Sequence, residues 1–362
     1  MAVPPTPLGI RLRSQANAQL AFDGEGFGLV FAEGPDGGCR TGGLWWARLD
    51  AQGAFIDRPE RLLPVEDALG LSLTQLHFWN DAFWVVHSHV VSGRDATFEL
   101  LRLDREGSLT DRFGLPFGAA YSVIGPRGLL LASLVPSDAL VRLALVGPDG
   151  VVSRTTELTG FVDAGTRHIA IGAAGEGFVI AAEQVLGMGA ASWSRLDVMT
   201  LDAEGRPTGP VRRSERLERT GFVTGGPAVV ASDEGASVYF ALGGASSGRR
   251  AVRRLAVNAD GTLGPLTNVS PVEDGPLYPR AAAAGEVTGL LWRRREQALV
   301  FRALDANGRP TSAPRMLYEG STWHGCGPAL DNPHLIPTGP GGFAFLTPEG
   351  DSGQLLFGRL CE

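Results

Sequence analysis

"LWWARLDAQG" (residues 44–53) is an alternating apolar run that ends in a tight turn. Near-copies stand at "ELLRLDREG" (99–107), "LDVMTLDAEG" (196–205) and "LVFRALDANG" (299–308). The shared motif is Leu or Val, usually Asp or Asn next, two further residues, then Gly. It recurs at Leu49–Gly53, Leu103–Gly107, Val146–Gly150, Leu201–Gly205, Val257–Gly261 and Leu304–Gly308. A last glycine that accepts φ > 0 suits a short hairpin loop with a bulge, and a leading Asp or Asn side chain bonds back to the turn amides. The six glycines are spaced by 54, 43, 55, 56 and 47 residues, a mean of 51, and about seven such units fill the 362 residues.

A second marker precedes each turn by roughly 20–27 residues, often Gly–Phe after a small turn. It is clear in "AFDGEGFGLVF" (21–31), "AIGAAGEGFVIAA" (170–182) and "IPTGPGGFAFL" (336–346), and looser in "HFWNDAFWVVH" (77–87) and "VIGPRGLLLAS" (123–133). Each unit therefore reads strand–turn–strand–loop–strand–turn–strand, with no run that predicts a helix of ten residues. Four strands in a unit of this length form the blade of an all-β propeller. The seventh unit begins at "NPHLIPTGPGGFAFL" (332–346) and stops at "LLFGRLCE" (355–362), one strand short. The missing outer strand is supplied by "PPTPLGIRLRSQ" (4–15), which is similar to the post-turn stretch "RPTGPVRRSE" (206–215). The expectation is a single domain over 1–362, a seven-bladed β-propeller whose last blade, 332–362, is completed by residues 4–15. Such pairing removes an open sheet edge.

Composition excludes several activities. The chain has 44% hydrophobic and 20% charged residues, with 50 Gly and 24 Pro, as many short strands joined by turns require. All 32 basic residues are arginine, so Schiff-base, Walker-A and Ser–Lys chemistry lack their lysine. A net charge of −7 argues against a nucleic-acid partner. No apolar run reaches the length of a membrane span. The start, "MAVPPTPLGI", lacks the pattern of a signal peptide, so a leader, if the protein has one, is expected to precede residue 1. The three cysteines, Cys39, Cys326 and Cys361, show no zinc spacing. The "GASSG" match (244–248) lies in a Gly/Ser-rich loop without the strand–turn–helix of a nucleophile elbow. "WRRREQ" (292–297) reads as a solvated loop, and "NVS" (268–270) as a chance sequon.

The repeats resemble bacterial extracellular propeller repeats of the delta-60 kind, most closely at "RLDREGSLTDRFG" (102–114). The resemblance implies a secreted, periplasmic or outer-surface propeller from a high-GC bacterium, and implies no activity.

In such a fold the repeated turn and the A–B turn share one rim, and the B–C and D–A loops share the other. That second rim carries the varied segments "GPDGGCRTGG" (34–43), "HSHVVSGRDAT" (87–97), "EQVLGMGAASWS" (183–194) and "LGGASSGRR" (242–250), where binding function is expected. Counting back from each Gly–Phe-like marker places Gln19, Gln75, Tyr121, His168, Ala228, Arg280 and His334 at the start of the innermost strands. Upstream segments add Asp163, Asp274, Tyr278, Trp323, His324 and Asp331. Six of the seven inner positions can form hydrogen bonds, which suits an ordered-water channel or a ligand site. His168 and His334 are the candidate metal ligands, and together with Arg280 the candidate catalytic residues. His87 and His89 could ligate from one strand face. Cys39 and Cys326 fall in neighbouring blades and can form a disulfide. Trp45 and Trp46 must face opposite sides of their strand, so at least one belongs to the core.

These features favour a non-enzymatic module: a monomeric propeller of the envelope or secreted fraction that presents its variable rim and tunnel mouth to a protein or glycan, with no cofactor. The alternative is a metal-assisted lyase or hydrolase at the tunnel mouth, similar in architecture to virginiamycin B lyase or oligogalacturonate lyase. There His168 or His334 would be ligand or base, and Arg280 would neutralise a developing anion.

Overall fold

The fold is that of a computed structural model, which describes residues 5–11, 18–33, 43–64, 73–90, 96–163, 165–187, 193–217, 226–232, 235–243, 250–272, 276–294, 298–320, 334–349 and 352–361. It is an all-β seven-bladed β-propeller built of seven four-stranded antiparallel sheets. Among the described residues the one helical element is a single 3₁₀ turn, Pro136–Asp138. No helix is long and apolar enough to cross a membrane.

Two compact units make up the chain: Met1–Ala120, Glu296–Ala298 and Leu317–Glu362 form one, and Tyr121–Arg295 with Leu299–Met316 the other. In the first unit, blade 1 is β2 (Ala18–Phe22), β3 (Phe27–Glu33), β4 (Gly43–Leu49) and β5 (Glu60–Pro64). Blade 2 is β6 (Leu73–Trp79), β7 (Ala82–Val90), β8 (Ala96–Leu103) and β9 (Leu109–Gly114). Blade 7 is β26 (His334–Gly339), β27 (Gly342–Pro348), β28 (Gln354–Cys361) and, from the other end of the chain, β1 (Thr6–Arg11). β1 pairs antiparallel with β28, Thr6 opposite Phe357 and Arg11 opposite Gln354.

The second unit carries blades 3 to 5 and most of blade 6. Blade 3 is β10 (Tyr121–Gly125), β11 (Gly128–Val135), β12 (Leu140–Val146) and β13 (Val152–Thr159). Blade 4 is β14 (Thr166–Ala174), β15 (Gly177–Leu186), β16 (Trp193–Leu201) and β17 (Arg212–Arg213). Blade 5 is β18 (Ala228–Ser232), β19 (Gly235–Gly243), β20 (Arg250–Asn258) and β21 (Leu263–Asn268). Blade 6 is β22 (Pro276–Ala284), β23 (Val287–Arg294), β24 (Ala298–Leu304) and β25 (Arg315–Glu319). The outer strand of blade 4 is only two residues long, because Pro207 and Pro210 in "RPTGPVRRSE" have no N–H for the ladder.

The two sequence markers meet in space. A Cβ on the marker glycine Gly26, Gly128, Gly177 or Gly235 would fall on the carbonyl of Leu49, Val146, Leu201 or Val257, the residue that opens the repeated turn in the same blade. The turns share one hydrogen-bond scheme. Asp50 N–H donates to Ala54 O at 2.8 Å, and Gly53 N–H donates to Asp50 O at 3.0 Å. Asp202 N–H donates to Arg206 O at 2.8 Å, and Gly205 N–H to Asp202 O at 3.0 Å. Glycine is needed last in the turn because φ there is +86° at Gly53 and +76° at Gly205. Strand residues then alternate between the two faces that blades bury against each other. Trp46 packs with Phe83, Val85 and Leu101 between blades 1 and 2, while Trp45 stacks on Phe31 at the other face.

Candidate functional site

The marker residues Phe27, Phe83, Leu129, Phe178, Ala236, Thr288 and Phe343 give a common register for the innermost strands. Three residues past the marker, the cross-strand partners in the first unit are Gln19 with Val30, Gln75 with Val86, and His334 with Leu346. In the second unit they are Tyr121 with Ala132, Ala228 with Tyr239, and Arg280 with Leu291. In blade 4 this rung is held by Ala170, opposite Ala181. His168 does not share the rung; it lies two pairs farther along, opposite Glu183, beyond which the register shifts by a bulge between Thr166 and His168. One residue past the marker the inner strands carry Ala21, His77, Val123, Gly172, Val230, Ala282 and Ile336. Polar side chains thus recur at the position three past the marker within each unit, and the position one past the marker is apolar apart from His77. Burial pushes the His77 imidazole down to about 4, so it is neutral at physiological pH.

Several polar side chains on the upper rung bind backbone. Gln75 Nε2 donates to the carbonyl of Ala120. His334 Nδ1 accepts the Leu20 N–H at 3.1 Å, tying the inner strands of blades 7 and 1. Burial raises the pKa of the Tyr121 hydroxyl, against the opposing pull of the Ile169 backbone in blade 4, so it stays protonated. Such bonds hold the side chains in fixed rotamers, and the one at His334 occupies the Nδ1 lone pair.

Asp163 serves a turn: its Oδ1 accepts the Gly165 N–H at 2.8 Å, and its own N–H donates to Thr166 Oγ1 at 3.0 Å. Tyr278 is buried, with φ +52°, and Arg293 lies over its ring at 5.7 Å. The bulge between Leu277 and Arg280 takes Tyr278 out of the regular alternation. His87 is buried in β7, opposite Glu99 in β8. The 292–297 run is not a solvated loop at its start: Trp292 and Arg293 are fully buried in β23, because the strand continues through Arg294. Likewise β15 runs to Leu186, so Glu183 and Gln184, expected in a loop, are buried in the sheet. Alternation with the marker Phe178 was the signal that could have placed Glu183. Trp323, His324, Asp331, Asp274, Cys39, Cys326 and the "GASSG" segment lie outside the described residues. Among the described residues no three of His, Cys, Asp and Glu converge in a metal-binding group.

A cavity of about 740 Å³ opens in the second unit, on the rim of the repeated turns. Its walls include Arg127, Glu176, Thr200, Glu204, Thr208 and Asn258. At its edge Glu204 accepts from Arg127 at 2.9 Å and Arg206 at 3.0 Å, with Arg154 at 3.6 Å. The turns differ in what the neighbouring blade places under them. In the first unit Phe357 and Trp46, each three residues before the turn motif of their own blade, sit directly under Gly53 and Gly107 of the next. The corresponding residues of blades 3 and 4 are Leu143 and Val198, which are too short for this. Gly205 has only Leu130 Cδ1 at 3.2 Å beneath it, and Gly261 only Thr200 at 3.4 Å.

No family model matches the chain, and no curated protein does. Solved structures do. A periplasmic gluconolactonase from Pseudomonas aeruginosa aligns over 91% of this chain and 93% of its own, with TM-score 0.53 and 18% identity. A protein of unknown function from Dyadobacter fermentans aligns over 99% and 98%, with TM-score 0.53 and 11% identity. At these identities the likeness is one of fold, and it defines the chain as a β-propeller.

Proposed function

We propose that this protein is a non-enzymatic binding propeller of the secreted or envelope fraction, which binds through polar residues of its innermost strands and the rim of varied loops. One observation carries the reading: polar side chains of the innermost strands are tied to backbone, Gln75 to the Ala120 carbonyl and His334 to the Leu20 N–H. A surface of fixed donors and acceptors recognises a ligand by shape and hydrogen bonds, whereas acid–base catalysis needs a group whose proton-bearing atom is available to substrate. The repeats' likeness to extracellular propeller repeats favours the compartment. A protein or glycan is the partner the reading expects.

The test pairs a glycan array with a turnover panel of chromogenic lactones, glycosides and esters, on the protein and on His168→Ala with Arg280→Ala. Binding that the double variant loses, with no turnover by either protein, is the expected result. Turnover that the double variant abolishes would replace this reading by the lyase or hydrolase alternative.

A further inference from the structure

The cavity on the rim of the repeated turns has no part in the reading above. At about 740 Å³ it has the size of a small-molecule site, and all of its walls come from the second unit. Turns of blades 3, 4 and 5 build it, and they bring Arg127, Glu204 and Asn258 to one opening.

Glu204 is held from both ends. Asp202 Oδ1 accepts the N–H of Glu204 at 2.9 Å and that of Arg206 at 2.8 Å, which sets the turn. Glu204 Oε1 then accepts from Arg127 Nη1 at 2.9 Å, and Oε2 from Arg206 Nη1 at 3.0 Å, with Arg154 Nη1 at 3.6 Å. A carboxylate has about four lone-pair sites, so Oε1 keeps one, and the side chain is 32% exposed and open to a ligand. Arg127 is more exposed still and keeps most of its N–H groups. Elsewhere in the walls, Thr200 and Thr208 share a hydrogen bond of 2.7 Å. Whichever hydroxyl donates, the other's O–H is left over. Asn258 Nδ2 donates to Thr262 Oγ1 at 2.8 Å, which leaves its carbonyl oxygen to accept. The walls thus mix fixed donors with fixed acceptors. A hydroxyl group both donates and accepts, so these walls suit a ligand rich in hydroxyls.

The charges select a neutral one. Arg127, Arg154 and Arg206 stand against Glu176, Asp202 and Glu204, three of each. A ligand of either sign gains no net attraction and would compete with ion pairs already made, whereas a neutral one leaves them intact.

We propose that this cavity is a binding site for one neutral sugar unit, held by hydroxyl hydrogen bonds to Glu204, Arg127, Thr208 and Asn258. The one aromatic residue of the walls, Phe178, is only 1% exposed, so no ring is open for stacking and the expected affinity is weak. The site shares with the reading above only that the ligand is held and not converted, and it uses none of the same residues.

The test is a saturation-transfer NMR titration of the whole protein with glucose, galactose, mannose and maltose. Glucuronate, and glucosamine at about pH 6, serve as the charged probes. At least one neutral sugar is expected to bind with a Kd of about 1–10 mM, and both charged probes at least about fivefold more weakly. Ala259→Trp fills the cavity and abolishes binding; blade 2 carries Arg105 at the same turn position, so the turn accommodates a large side chain. The same change in the blade 6 turn, Ala306→Trp, leaves affinity unchanged. Glu204→Gln weakens binding about tenfold and Thr208→Val about two- to fivefold. Maltose bound more tightly than glucose assigns the unit to a glycan chain, and equal binding assigns it to a free sugar; either upholds the site. No binding of any neutral sugar would overturn it, as would equal loss in Ala259→Trp and Ala306→Trp. Tighter binding of a charged probe would overturn the neutral assignment. Should Ala259→Trp fail to fold, Ala203→Trp, in the blade 4 turn of the same walls, takes its place. Sugar binding that persists in the filled variant would sink this site and leave the reading above standing, whereas turnover of a bound sugar would do the reverse.

Discussion

The turn of blade 1 and the turn of blade 4 have the same backbone and opposite surroundings. Both open with an aspartate whose Oδ1 takes two amides, at 2.9 and 2.8 Å in each case, from Gln52 and Ala54 or from Glu204 and Arg206. Both close on a glycine with positive φ. Yet Gly53 rests on the ring of Phe357, and Arg359 Nη1 reaches the Ala51 carbonyl at 2.6 Å, whereas Gly205 has Leu130 Cδ1 beneath it and its turn neighbours Asp202 and Glu204 line the cavity. Turn geometry is local and is repeated wherever its residues are repeated. What the turn covers is decided by one side chain of another blade.

The largest test of that difference removes the plug. Phe357 is buried, edge-on to Phe27 with centroids 5.2 Å apart, and Phe357→Ala should destabilise the protein by about 3–5 kcal/mol in urea unfolding. A loss under about 1 kcal/mol would mean that the blade 1 turn does not depend on it. The inner strands offer a parallel contrast between two histidines of the same unit. His334 is held by a backbone bond, while His77 is held neutral by burial. His77 is neutral in the folded state and titrates near 6.5 when unfolded. The stability this brings is full above pH 6.5 and is lost as pH falls toward 4, by about 3 kcal/mol. His77→Leu should flatten that part of the pH–stability curve, and an unchanged acid slope would refute the assignment.

Next in size is the pair Gly53→Ala and Gly205→Ala. Both carry the cost of a side chain at positive φ, about 1–2 kcal/mol. Gly53→Ala also drives its methyl into Phe357, so it should cost about 1–3 kcal/mol more than Gly205→Ala. Equal thermal shifts would show that the plug moves aside freely. The smallest effect is expected from Asp202→Ala, which removes the acceptor of two turn amides and should cost about 1 kcal/mol by denaturant midpoint. Blade 3 already does without this aspartate: Gly147 takes its place, and Asp149 Oδ1 accepts the Val151 N–H at 3.1 Å instead.

Much of the architecture was legible because its signals are short in sequence. Turn glycines, marker glycines and alternating apolar runs each act within a few residues, and the marker glycine and turn leucine recur together because they touch. Even the split blade could be read, since its last unit ends one strand early. The site was legible only in part. Counting from the markers put Gln19, Gln75, Tyr121, Ala228, Arg280 and His334 at one register position, but it set His168 two pairs off, because His168 lies ten residues before Phe178 and the shared register lies eight before it, at Ala170. Tyr278, taken from the sequence as part of an upstream segment, lies within β22 at the bulge between Leu277 and Arg280.

The sequence by itself determined the number of blades, the strands in each and the pairing of β1 with β28. These follow from hydrogen-bonding and φ preferences that a residue and its near neighbours satisfy together. Only the tertiary structure decided that Gln75 and His334 bind backbone, that among the described residues no carboxylate pairs with Arg280, and that a cavity opens beside the turn of blade 4. Each of those depends on a side chain from a different blade, tens or hundreds of residues away, whose reach and direction no local pattern records.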